Sequence, residues 1–239
     1  MIRSVFCILL LSFNSIVVAQ SVSDSAAYLT YIVNPRKTLI KFYYKTAKGA
    51  RLASFNSLKT YAAGKGEILV FATNGGMFKP DHSPVGLYIE AGQQISPIDS
   101  TSGAGNFYLK PNGIFFLTKN GVAGITETAL FKNKKIAYAT QSGPMLIING
   151  DIHPVFTASS GNRNIRNGVG ILADGRVLFA MSERPVTFFE FADFFKSAGC
   201  RNALYLDGFV SRTYLPEKPR MESGDDFGVM IGVTDKKNP

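Results

Sequence analysis

The sequence predicts an α+β fold: a single domain with a mixed, largely antiparallel sheet and a few packed helices. Short runs rich in β-branched and aromatic residues alternate with Asn-Gly or Asp-Gly pairs at 112–113, 120–121, 149–150 and 174–175. That dipeptide between apolar runs is a strong hairpin signal. Residues 54–63 and 188–199 carry apolar positions at helical spacing. No Pro/Ser-rich linker, low-complexity tract or internal repeat divides the chain.

Residues 1–19 read as a signal peptide, with Arg3, an apolar run over 5–11 and a Val17-Val18-Ala19 ending. Ser12, Asn14 and Ser15 interrupt the run too early for a membrane span. Residues 20–27 are small and polar and are expected to be flexible, 28–234 form the domain, and 235–239 a loose tail. Cleavage leaves roughly 220 residues, enough for one sizeable core. No later run approaches about 18 apolar residues, so the expectation is an exported protein, periplasmic or secreted, with no membrane span when mature. Only Cys200 survives cleavage, which rules out an intramolecular disulfide and marks it as a packing residue.

In chain order, 38–44 is a strand, followed by a helix over 54–63 with Ser57 as cap, Leu58, Tyr61 and Ala62 on one face, and Gly64 and Gly66 as stop. The apolar strand 68–72 exits into Thr73-Asn74-Gly75-Gly76. A short strand over 84–89 and a turn at 90–92 precede a hairpin of 107–110 with 114–117 about Asn112-Gly113. The strand 136–140 runs into Gln141-Ser142-Gly143-Pro144, and a further strand covers 145–148. Gly168-Val169-Gly170 has the spacing of a dinucleotide fingerprint, but Asp174-Gly175 makes the region a hairpin with no helix opening from it. Thr187-Phe188-Phe189-Glu190 is a capping box for a helix striped by Phe188, Phe191, Ala192 and Phe195 and ended by Gly199. That helix leads to the strand 203–206, and 227–233 forms the last strand.

The strand 203–206 delivers Asp207 onto Gly208, with Arg201, Ser211 and Arg212 nearby. Asp207-Gly208 is also a turn signal in its own right. Asn74-Gly75-Gly76 repeats the design, which would bring Asn74 and Asp207 to one end of a sheet. The loop 159–166 offers Arg163 and Arg166 as an anion clamp, with an exposed polar loop as the alternative. His82 and His153 lack metal-ligand spacing, Ser211 is not in a Gly-x-Ser-x-Gly elbow, and no Walker loop occurs. The formal charge of +9 favours acidic partners. The Lys-rich pieces at 132–135 and 236–237 lack interleaved aromatics, so no nucleic acid partner is expected. The remaining inventory is carboxylates (Asp207 and Glu183, with Asp81 and Glu90 more distant), arginines, and polar side chains beside glycines, which suits glycosyl or phosphodiester chemistry.

Asn74-Gly75-Gly76-Met77-Phe78, Gln141-Ser142-Gly143-Pro144-Met145-Leu146, Arg166-Asn167-Gly168-Val169-Gly170 and Leu206-Asp207-Gly208 with Ser211, in that order, resemble the phosphodiester glycosidase domain. The resemblance implies hydrolysis of a sugar-1-phosphodiester at the anomeric carbon. It casts Asp207 as base or nucleophile, Glu183 as second carboxylate by position, and Arg166 with Arg163 as phosphate clamp. Asn74, Gln141 and Ser211 become hydrogen-bond partners of the substrate, with Gly75, Gly76, Ser142, Asn167 and Gly208 completing its binding set. No metal-ligand set is implied; a divalent cation such as Ca²⁺ is compatible with Asp207, although no loop has calcium-motif spacing. Phe209-Val210 stand where the family has further glycine, which implies a tighter, more apolar pocket and an altered sugar preference. A non-catalytic glycan-binding protein of exopolysaccharide or envelope assembly, and a general phosphodiesterase, are the competing readings.

Overall fold

The structure is a computed structural model that describes residues 27–208, 210–217 and 226–236. The predicted leader and Phe209 lie outside the described residues. The fold is α+β, and its named strand pairings are all antiparallel. The strands form three sheets where one was expected. The largest is ordered β1 (Tyr28–Val33), β12 (Val177–Ser182), β11 (Asn167–Leu172), β13 (Cys200–Asp207), β9 (Met145–Ile148) and β10 (Asp151–Ile152). A second is ordered β14 (Thr213–Tyr214), β3 (Glu67–Asn74), β15 (Met230–Lys236) and β2 (Ile40–Tyr43). The third is ordered β5 (Gln93–Ser96), β4 (Tyr88–Glu90), β8 (Ile136–Ser142), β6 (Gly113–Thr118) and β7 (Ala123–Glu127).

The three sheets share one apolar core. Phe179 of the first lies 5.0 Å from Phe71 of the second and 6.0 Å, edge-on, from Phe115 of the third, measured between ring centroids. Such aromatic pairs add attraction beyond the area they bury. The helix α1 (Phe55–Ala63) packs Phe55 and Leu58 against Leu69, Ala72 and Met230 of the second sheet. The helix α2 (Phe188–Ser197) packs Phe191 and Phe195 against Leu178, Ala203 and Tyr205 of the first.

The capping box opens α2 as its sequence requires: Thr187 Oγ1 accepts from Glu190 N, and Glu190 Oε2 accepts from Thr187 N at 2.7 Å. In α1 the cap is Ser54, not Ser57; Ser54 is extended, and its hydroxyl accepts from the Ser57 amide. The hairpin expected at Asn112-Gly113 is absent. Residues Asn106–Tyr108 form a 3₁₀ turn held by Asn112 Nδ2 donating to the Phe107 carbonyl, and β6 pairs with β7 across Asn120-Gly121 instead. The strand β1 was not expected, and β15 runs on to Lys236, so residues 235–236 are paired strand and not tail.

Gly168 and Gly170 are packing residues. A Cβ on Gly170 would stand 2.5 Å from Cys200 Sγ and 2.8 Å from Phe195 Cδ1, and one on Gly168 would stand 2.9 Å from the Leu204 carbonyl oxygen. Glycine here lets the aromatic face of α2 lie directly on β11. Gly170→Ala is therefore expected to lower stability by about 1–3 kcal/mol through overpacking, measured by urea unfolding.

His153 is buried as a neutral ring: Nε2 donates to the Lys110 carbonyl at 3.0 Å, and Nδ1 accepts from the Val155 amide at 3.2 Å. Burial lowers its pKa from the ordinary 6.5. The unfolded chain then binds the proton more readily, so stability should be full above the ordinary histidine range and fall as pH drops through it. Thermal melts of the wild type should lose stability between about pH 7 and pH 5, and His153→Gln should flatten that part of the profile.

Candidate active site

The site is built around the end of β13. At its entry to the site β13 has one more residue than its neighbour: Gly168 pairs with Tyr205 and Asn167 with Asp207, leaving Leu206 as a bulge. A bulge re-aims the residue that follows it. Its freed carbonyl is bound by Ser142 Oγ at 2.9 Å, from the end of β8. The next carbonyl, that of Asp207, accepts from Ser211 Oγ at 2.8 Å.

Asp207 is only 5% exposed. Its Oδ1 accepts from the Gly208 amide at 2.6 Å and its Oδ2 from Asn74 Nδ2 at 3.3 Å. Asn74 is itself oriented, because its Oδ1 accepts from Asn167 Nδ2 at 2.9 Å and from the Arg212 amide at 3.0 Å. Asn167 Nδ2 also donates to Thr73 Oγ1 at 2.9 Å. A buried carboxylate needs such donors, since an unsolvated charge without them is very costly. Asn74 and Asp207 do meet, but at the junction of two sheets and not at one end of a shared one, because β3 and β13 belong to different sheets.

A cleft of about 560 Å³ opens over this carboxylate, lined by Met77, Phe78, Lys79, Asn106, Asn164, Tyr205, Asp207, Gly208 and Val210, with Pro80 at its edge. Lys79 is exposed, whereas Tyr205 is 1% exposed. Among the described lining residues Asp207 is the one carboxylate. Among the described residues no cluster of three or more His, Cys, Asp or Glu side chains is placed to hold a metal ion, and no helix is long and apolar enough to cross a membrane.

Residues 67–234 match the family model described as phosphodiester glycosidase. The chain belongs to the phosphodiester glycosidase family. It is 36% identical over 186 residues to the uncharacterized protein YigE of Escherichia coli K12, an alignment covering 77% of this chain and 73% of that protein. Its fold is similar to the catalytic domain of zebrafish N-acetylglucosamine-1-phosphodiester alpha-N-acetylglucosaminidase, auto-inhibited by its pro-peptide, with a TM-score of 0.60 at 14% identity over 88% of this chain and 84% of that one. It is also similar to a Burkholderia pseudomallei K96243 protein described as exported, with a TM-score of 0.58 at 10% identity over 86% of this chain and 73% of that one.

In this phosphodiester glycosidase chain the sequence-predicted residues divide into groups. Asn74, Ser142, Asn167, Gly208 and Ser211 all gather on Asp207 or on the backbone that carries it. Gly75 and Gly76 let β3 leave its sheet against neighbours: a Cβ on Gly75 would stand 3.0 Å from Ile231 Cγ1, and Gly76 has φ +149° with Thr140 Oγ1 beside it. Gln141 points away from the cleft, its Oε1 accepting from the Leu87 and Asp99 amides and its Nε2 donating to the Asp99 carbonyl at 2.6 Å. It holds loops together and presents no amide to a ligand.

Three further expectations need correction. Arg166 is not an open clamp: its guanidinium is fully buried, with Nε donating to the Val186 carbonyl at 2.9 Å, Nη2 to the Asn162 carbonyl at 2.9 Å, and its face on the Phe188 ring. Arg163 is paired with Glu190 at 2.8 Å on the surface. Glu183 is exposed beside β1, its amide donating to Ala27, two strands across from β13, or roughly 10 Å between strand axes. It does not line the cleft.

Sequence reading missed Lys79, Asn106 and Tyr205 as cleft residues. Lys79 lies just past Phe78 in the segment that leaves β3, and that position was the available signal. Ser142→Ala strips the buried Leu206 carbonyl of its donor and is expected to cost about 1–3 kcal/mol. Urea unfolding would read this loss.

Proposed function

We propose that this chain is an exported hydrolase that cleaves the anomeric C–O bond of a sugar-1-phosphodiester within a phosphoglycan or cell-envelope glycan. The observation that carries this reading is the donor-held, buried Asp207 carboxylate in a cleft lined also by Lys79, in a phosphodiester glycosidase chain. Glycosidases ordinarily need an acid to protonate an alkoxide leaving group and a second carboxylate to act at carbon. A phosphate departs as a stabilised anion, so a cleft with one described carboxylate and one cation supplies what this reaction needs. Asp207 takes a proton from the attacking water. Lys79 offsets the charge that builds on the departing phosphate, as positioned cations do for phosphoryl groups. The predicted signal peptide and the likeness to a protein described as exported support an envelope location.

Hydrolysis of a sugar-1-phosphodiester in ¹⁸O-water tests the reading, with free sugar and an intact phosphomonoester as products and the label on the sugar. Label on the phosphate would instead identify a phosphodiesterase, and no turnover with retained glycan binding would identify a binding protein. Asp207→Asn should lower kcat by at least about 10³-fold while leaving substrate affinity within a few-fold. A first-formed product of inverted anomeric configuration is expected for a base; retention would make Asp207 the nucleophile.

A further inference from the structure

The buried Arg166 lies beside the cleft and, among the described residues, is neutralised by no carboxylate. Among the described residues its ion-pair partners are none, and its guanidinium is held by the carbonyls of Val186 and Asn162, by Asn162 Oδ1 and by the Phe188 ring, 3.7 Å from its centroid. Burial without a counter-ion lowers its pKa from the ordinary value, although an arginine keeps its charge. Its one contact with a cleft residue is Nη1 to the Tyr205 hydroxyl at 3.5 Å.

That hydroxyl is placed for a ligand. It accepts from Arg166, and Asn106 lines the same cleft. With Arg166 giving its proton to the oxygen, the hydroxyl's own proton is left for another acceptor. The oxygen sits against the Cα of Gly208, where any Cβ would overlap it. It is thus beside the residue that follows Asp207, within the same cleft. Burial, ahead of the Asp207 charge, pushes its pKa up, so the phenol holds its proton through neutral pH.

We propose that Tyr205 is the direct phosphate contact of this site, donating its O–H to a phosphoryl oxygen, and that Arg166 is a positioning residue that acts on the phosphate through it. The proposal rests on the hydrolase reading for the identity of that phosphate as leaving group. In the reaction, the C1–O bond breaks with both electrons passing to the bridging oxygen, and water adds to C1 while giving its proton to Asp207. The phosphomonoester leaves as a dianion with the Tyr205 hydrogen bond strengthened and no proton transferred from it. This explains why Gly208 follows the aspartate: a side chain there would displace the phosphate donor.

The test is calorimetric binding of methyl phosphate to the full chain, alongside turnover of a sugar-1-phosphodiester. Tyr205→Phe should keep its melting temperature within a few degrees, weaken methyl phosphate at least about tenfold, and lower kcat by about 10- to 100-fold. Arg166→Met should weaken methyl phosphate in the wild-type background, and by less than about twofold in the Tyr205→Phe background, because coupled residues are not additive. Arg166→Lys serves if the methionine variant does not fold. Wild-type affinity for methyl phosphate in Tyr205→Phe, or additive losses in the double variant, would overturn the proposal. Tyr205-dependent phosphate binding without release of free sugar would uphold the contact and sink the hydrolase reading.

Discussion

A carboxylate buried at the meeting of three sheets is the constraint on which the site depends. Asp207 loses nearly all its water, so each lone pair must find a donor from the protein. Its oxygens accept from the Gly208 amide and from Asn74 of the second sheet; Asn167, on the strand beside Asp207 in the first, orients Asn74, and Ser142 of the third holds the Leu206 carbonyl just before it. The sheets are locked in turn by Phe71, Phe115 and Phe179 in the common core. Burial of these rings and burial of the charge are therefore two sides of one arrangement: the apolar contacts fix the angle at which the polar ends of the strands converge.

Much of this was legible because local chemistry and fold agree. The capping box at Thr187, the phenylalanine stripe behind it and the Asp174-Gly175 turn each follow from side-chain geometry within a few residues, and each stands in the structure. The apolar exits at Asn74 and Asp207 were legible as a pair: each alone is a turn signal, and the repeat of a buried strand ending in a small polar residue and glycine is what points to a site. What was not legible is non-local. Asn112-Gly113 carries a hairpin signal, yet Gly113 lies inside β6, where a Cβ would stand 2.9 Å from Met145 Cγ and 3.0 Å from the Thr126 carbonyl, so close packing and not a turn explains that glycine.

The same holds for charge. The arginine-rich loop suggests a ligand role for Arg166 and the family resemblance one for Gln141, and both are instead occupied by backbone carbonyls or amides of the protein. Nothing in a polar residue's neighbours along the chain says whether its partner is a ligand or the protein. Lys79, Asn106 and Tyr205 enter the cleft for the converse reason. Packing of distant segments brings Lys79 and Asn106 to Asp207, whereas Tyr205 stands two residues before it on β13 and reads along the chain as a core aromatic.

The bond between Asn74 and Asp207 spans 133 positions of chain. Contacts that distant close late and slowly, because the entropy of a long loop must be overcome before they form. The carboxylate is therefore shielded from water only when almost the entire domain is in place. A chain lacking any one of the three sheets lacks a part of the site, so assembled chemistry in this protein reports completion of the fold itself.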